Sequence, residues 1–161
     1  MSDAVNERAA ELRAAFDRGF AESPIGPRPA ELELLRVQLA GEPFAIALAD
    51  IAAIHVDLKV VAVPATAPEL LGVIAVRAQI LPAYDLRAVL GVARDLPPRW
   101  IVVARAAQAA FAFDGFDGLV RVAEAPVASA SRFASAVVTL AGRSTSILDL
   151  RAACAAVHKE R

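Results

Sequence analysis

Catalysis needs polar groups that converge, and few side chains in this chain are spaced to do so. Its only two histidines, His55 and His158, stand over a hundred positions apart. Neither has a cysteine, histidine or carboxylate at ligand spacing, and a zinc site takes three or four such groups. The single cysteine, Cys154, sits in the apolar run Ala152-Ala153-Cys154-Ala155-Ala156-Val157, where a buried, inert thiol is expected. His158 shares a helix face with Cys154 at i, i+4. A nucleophilic Cys–His pair there lacks any orienting third group or oxyanion donor. Ser129, Ser131, Ser135, Ser144 and Ser146 lie outside any G-x-S-x-G elbow. Asp114-Gly115-Phe116-Asp117-Gly118 opens like a calcium loop but lacks the third oxygen ligand and the closing glutamate. Gly41, Gly72 and Gly91 stand alone, so no phosphate-cradling loop is present. No catalytic residue, cofactor or metal is expected.

One charged residue stands out. Arg77 follows Leu70-Leu71-Gly72-Val73-Ile74-Ala75-Val76, at the end of a run that reads as a buried strand. Two roles fit it: a strand-end charge facing water, or an interface arginine whose guanidinium makes several fixed hydrogen bonds while its stem packs on apolar surface. Asp85 is placed to cap the helical turn Leu86–Leu90, and Asp149 to cap the C-terminal helix Leu150–His158.

The elements that carry these residues are mostly short strands. From Glu31 onward, apolar or alternating runs of about five to eight residues recur between turn-formers, the pattern of a small-barrel β protein. Leu34–Leu39 and Phe44–Leu48 flank Gly41-Glu42-Pro43 and read as a hairpin. Further strands are expected at Ile54–Val56, Val60–Val63, Leu71–Arg77, Ile80–Ala83, Trp100–Ala104, Phe111–Val122, Ala136–Leu140 and Ser144–Leu148. Asp114-Gly115 allows two readings. It is a local hairpin signal, or a point within one continuous, bulged strand. Before all this, residues 4–20 read as an amphipathic helix with Val5, Ala9, Leu12, Phe16 and Phe20 on one stripe. A linker over 21–30 carries Pro24, Pro27 and Pro29. The stripe calls for a protein surface, on the same chain or on a partner.

Bulk properties narrow the class. The 161 residues suit one domain or two small lobes. Seventeen basic and 18 acidic residues are dispersed along the chain, leaving no basic patch for nucleic acid. The longest stretch free of Asp, Glu, Lys and Arg is Phe133–Gly142, ten residues, about half of the ~20 a membrane-spanning helix needs. The start, MSDAVNERAAELR, alternates acid and base instead of forming a signal peptide. A cytoplasmic protein without membrane insertion is expected.

Leu70–Gly91, LLGVIAVRAQILPAYDLRAVLG, resembles the signature of CheW-like domains. In it an apolar strand ends in an Arg-Gly pair, followed by a Leu-Pro step and an Asp-Leu-Arg turn. The likeness extends in order from Leu32 to Ala155. It takes in Asp50–Val56, Val63-Pro64, Pro68–Gly72, Leu81-Pro82, Tyr84-Asp85-Leu86 and Ile147–Leu150. At Asp114-Gly115 the continuous strand is favoured by the family resemblance that the neighbouring segments carry. The resemblance implies an all-β fold with short helices: two small five-stranded SH3-like or OB-like barrels packed side by side, here with an added N-terminal helix. That divides the chain into 1–30 and 31–161. It implies a non-catalytic adaptor linking the cytoplasmic tips of methyl-accepting chemoreceptors to the regulatory domain of the histidine kinase CheA, with self-association in arrays. An apolar groove between the barrels would receive the receptor hairpin. A protein interface would include Arg77, Val73, Ile74, Val76 and Ile80. Two positions depart from the family pattern. Ala53 stands where members often carry a glutamate that pairs with the motif arginine, and Ala78 replaces the glycine after it. These departures also fit a diverged paralogue serving another chemosensory-like pathway, such as surface motility. A small-ligand-binding β-barrel is the reading from outside this class.

Overall fold

In the strand Ala110–Phe113, AFAF, small and large residues alternate, and all four are buried. Period-two alternation sends successive side chains to opposite faces. Ala110 and Ala112 join one core while Phe111 and Phe113 join another. That division governs the molecule. The computed structural model describes residues 31–94 and 96–159. The expected N-terminal helix and linker lie outside the described residues.

Among the described residues, eleven strands form two sheets. They are β1 (Leu32–Leu39), β2 (Glu42–Ala47), β3 (Ile51–Val56), β4 (Leu70–Val76), β5 (Gln79–Asp85), β6 (Trp100–Ala104), β7 (Ala110–Phe113), β8 (Gly115–Val122), β9 (Val127–Ala128), β10 (Ala134–Leu140) and β11 (Arg143–Leu148). The helices are α1 (Leu86–Leu90) and α2 (Leu150–Lys159). One sheet runs β8-β1-β2-β11-β10-β9 and the other β3-β6-β7-β5-β4. Only β2–β11 and β5–β7 pair in parallel. The first sheet has six strands where five were expected, because the two-residue β9 adds to the edge of β10.

Three apolar cores follow. Leu34, Ala45, Val122, Val138, Leu140 and Ile147 fill one side of the six-stranded sheet. Ile74, Val76, Leu81, Ala83, Ile101, Val103, Ala110 and Ala112 fill one side of the five-stranded sheet. The third and largest core lies between the sheets. It joins Leu35, Val37, Leu39, Ile46 and Leu148 to Tyr84, Val102, Phe111 and Phe113, with Leu86 and Leu150 from the helices. Each large side chain buried there contributes about 1.5–3 kcal/mol, so the sheets hold each other by their bulkiest residues.

Two strand expectations are corrected. Val60–Val63 is not a strand. Val61 makes a single bridge to Val73, with both N–H···O distances 2.8 Å. Gly72 permits it: at φ +146° a Cβ there would stand 2.2 Å from the Val61 carbonyl oxygen. Phe111–Val122 is neither one strand nor a hairpin. The chain leaves the five-stranded sheet at Phe113, bends at Asp114 and enters the six-stranded sheet at Gly115. Folding back would have withdrawn Phe111 and Phe113 from the core between the sheets. The bulge falls within β8, where Gly118 and Phe116 oppose Arg36 and Val37.

Both helix caps form as expected. Asp85 accepts from the Arg87 N–H at 3.0 Å, and Gly91 at φ 72° ends α1. Asp149 accepts from the N–H groups of Arg151 and Ala152 at 2.9 and 3.1 Å. No described helix is long and apolar enough to cross a membrane.

Candidate protein-interaction site

The β4–β5 hairpin holds every interface residue named from the sequence, but on different faces. Ile74 and Val76 turn into the core of the five-stranded sheet with Leu81. Register puts Val73, Ala75, Ile80 and Pro82 on the opposite face. There Val73 is half-buried and Ile80 is 75% exposed. Arg77 and Ala78 form the two-residue turn, at φ 47° and 65°. Positive φ at both positions is the favoured geometry of a two-residue hairpin turn. Arg77 is exposed there, and no ion pair joins it to a carboxylate among the described residues. Ala53, at the position of the family glutamate, packs instead against the core of the five-stranded sheet.

A second apolar surface was not read from the sequence. β3 and β8 are edge strands of their respective sheets. Ile54 and Val56 lie opposite Val102 and Trp100, while Leu119 and Phe116 lie opposite Leu35 and Val37. Opposed residues share a face, and Val102, Leu35 and Val37 all belong to the core between the sheets. At the two edges that face runs out from under its cover. Ile54, Val56 and Leu119 are 37%, 47% and 62% exposed. The Trp100 and Phe116 rings, 5.0 Å apart and tilted at 55°, join the sheets there. The result is an apolar strip built from both sheets, flanked by the exposed Glu33–Arg121 ion pair at 2.9 Å. Its residues come from three separate strands, β3, β6 and β8, so no local motif marks it.

A buried ionic network lies beside these surfaces. Arg87, 2% exposed, reaches Asp85 through Nε at 2.9 Å and Nη2 at 2.8 Å. Its Nη1 donates to the Asp114 carboxylate and to the Leu96 carbonyl. The other Asp114 oxygen accepts from the Ala40 N–H at 2.6 Å. The Asp85 hydrogen bonds raise the Arg87 pKa above its ordinary value against the pull of burial, and the Asp114 charge adds to the effect. Asp85 thus holds both the helix start and a buried cation. Sequence reasoning found only the first.

Comparison with known proteins bears on both the sequence and the fold. The family model of the CheW-like domain matches residues 33–158. The chain belongs to the CheW-like domain family. The crystal structure of the scaffolding protein CheW from Thermoanaerobacter tengcongensis is similar in fold, with a TM-score of 0.68 at 16% identity, covering 74% of this chain and 89% of that one. No curated protein sequence matches significantly.

Cys154 and His158 share α2 of this CheW-like fold. Cys154 is buried, and burial, followed by the field of Asp149, pushes its pKa up to about 11. His158 Nδ1 lies 2.7 Å from the Cys154 carbonyl oxygen, so it meets the backbone and not the thiol. Among the described residues no three His, Cys, Asp or Glu side chains group as metal ligands. A surface hollow of about 320 Å³ beside β6 is lined by Ala52, Gln79, Leu81, Val103 and the 104–108 loop. It is open and of mixed polarity, and Arg105 is the one titratable side chain lining it.

Proposed function

We propose that this chain is a non-catalytic cytoplasmic adaptor that joins chemoreceptor tips to the regulatory domain of a CheA-type histidine kinase. The apolar strip shared by the two sheets carries the reading, since an amphipathic helical hairpin lays its apolar face into such a groove. Membership of the CheW-like family and the fold of a scaffolding protein support it. Ile54, Val56 and Leu119 are the proposed receptor contacts. The outer face of the β4–β5 hairpin, with Val73, Arg77 and Ile80, is proposed for the kinase or for a second copy in an array. Ile74 and Val76 belong to that interface only as the support beneath it. Stabilising one receptor–kinase arrangement shifts the kinase between states without chemistry in the adaptor.

The test is calorimetric titration of the wild-type chain and of Leu119→Arg with a receptor-tip hairpin from the same genome. The substitution is expected to weaken binding by about 2 kcal/mol or more with an unchanged melting temperature. Equal affinity in both proteins sinks the assignment of the groove. Ala53 and Ala78 favour a second reading, a paralogue serving a different chemosensory-like pathway. Binding to the kinase and receptor of that pathway, and not to those of chemotaxis, is its mark.

A further inference from the structure

Arg87 uses four of its N–H directions on three separate pieces of chain, and one of its partners, Asp114, ties in a fourth. Nε and Nη2 hold Asp85, where β5 of the five-stranded sheet passes into α1. Nη1 holds the Leu96 carbonyl and Asp114, the one residue between β7 and β8. Asp114 in turn holds the Ala40 N–H in the β1–β2 turn of the six-stranded sheet. The chain then starts β8 at Gly115, where a Cβ would come within 3.1 Å of the Gln38 side chain. Two residues beyond Asp114 lies Phe116, whose ring meets Trp100 across the sheets. Asp114 is thus two residues from the aromatic contact that, among the described residues, joins the two walls of the groove. A hydrophobic replacement would fill the same volume and leave those four segments unlinked.

We propose that the Asp85–Arg87–Asp114 network is a latch that fixes the spacing of the two groove walls, making Arg87 and Asp114 positioning residues for the bound helix. Its role in binding rests on the adaptor reading above; the latch itself does not. Asp114→Asn is the first variant, because an amide cannot accept from both Arg87 and the Ala40 N–H without turning its own donor toward one of them. Asp85→Asn/Arg87→Met/Asp114→Asn is the second. It leaves no buried charge unpaired and retains a capping side chain, so it folds even where the single change does not.

Trp100 is the only tryptophan, which makes its emission a direct report on the contact with Phe116. Both variants are expected to melt cooperatively with unchanged far-ultraviolet dichroism. Their Trp100 emission should be red-shifted and more readily quenched by acrylamide. A receptor-tip hairpin should bind them about tenfold more weakly. Wild-type emission and quenching in the folded triple variant overturns the latch. A wild-type chain that binds no hairpin overturns the adaptor reading, while the emission still decides on the latch.

Discussion

Two arginines ten positions apart in one motif have opposite fates, and their surroundings explain why. Arg87 is buried because Asp85, Asp114 and a carbonyl satisfy it, which is the condition for burying a charge at all. Arg77 stands in a turn in water, so its value lies in what it can recruit. Beside it Ala78 bears a strain that two other hairpins avoid. The β1–β2 and β10–β11 turns read Ala40-Gly41 and Ala141-Gly142, with glycine at φ 81° and 76°. Ala78 takes φ 65° with a Cβ, and the left-handed region costs an L-residue about 1–2 kcal/mol. Ala78→Gly should therefore stabilise the protein by about 1 kcal/mol and raise its melting temperature by roughly 2–4 °C, as calorimetry can check. Cys154 makes a second prediction at this scale. Its thiol pKa is raised from 9.0 to about 11, so folding favours the neutral form. Stability from this group is complete below pH 9 and falls as pH rises through 11. Denaturant titrations across that range should show a steeper decline in wild type than in Cys154→Ala. Iodoacetamide at neutral pH should leave the folded thiol unmodified.

At the scale of elements, the close approach of Val61 to β4 depends on one missing methyl. Gly72→Ala would drive a Cβ to 2.2 Å from the Val61 oxygen at a φ of +146°. A loss of about 3 kcal/mol and fast amide exchange at Val61 and Val73 are expected. Retained protection at both amides would mean that the bridge does not need the glycine. The family motif already placed Gly72, the Leu-Pro step and both caps, because each serves a local geometry that a short window reveals. The positions of most strands along the chain were legible from their apolar runs and turn-formers. What failed was non-local. Val60–Val63 is as apolar as a strand, but it finds a single bridge in place of a ladder. Asp114-Gly115 has hairpin chemistry, yet Asp114 is claimed by Arg87, 27 residues away in the chain. The apolar strip likewise comes from strands that are distant in the chain, so the sequence marked Ile54 and Leu119 as strand residues and nothing more.

At the scale of the molecule, each sheet has its own core, and the largest core is the one they share. Its edges must run out somewhere, and here they do so at Ile54, Val56 and Leu119. Charge reversal of the exposed Glu33–Arg121 pair is expected to change stability by less than about 1 kcal/mol, so groove variants near it can be read as binding effects. The adaptor reading demands that one chain carry two partners at once, which a ligand-binding barrel would not. Sedimentation of receptor-bearing membranes with the cognate histidine kinase, with and without this chain, measures that directly. The kinase should pellet in quantity only when the chain is present, and Leu119→Arg should abolish the effect. Kinase that pellets equally without the chain, or stays in solution with it, would contradict the account.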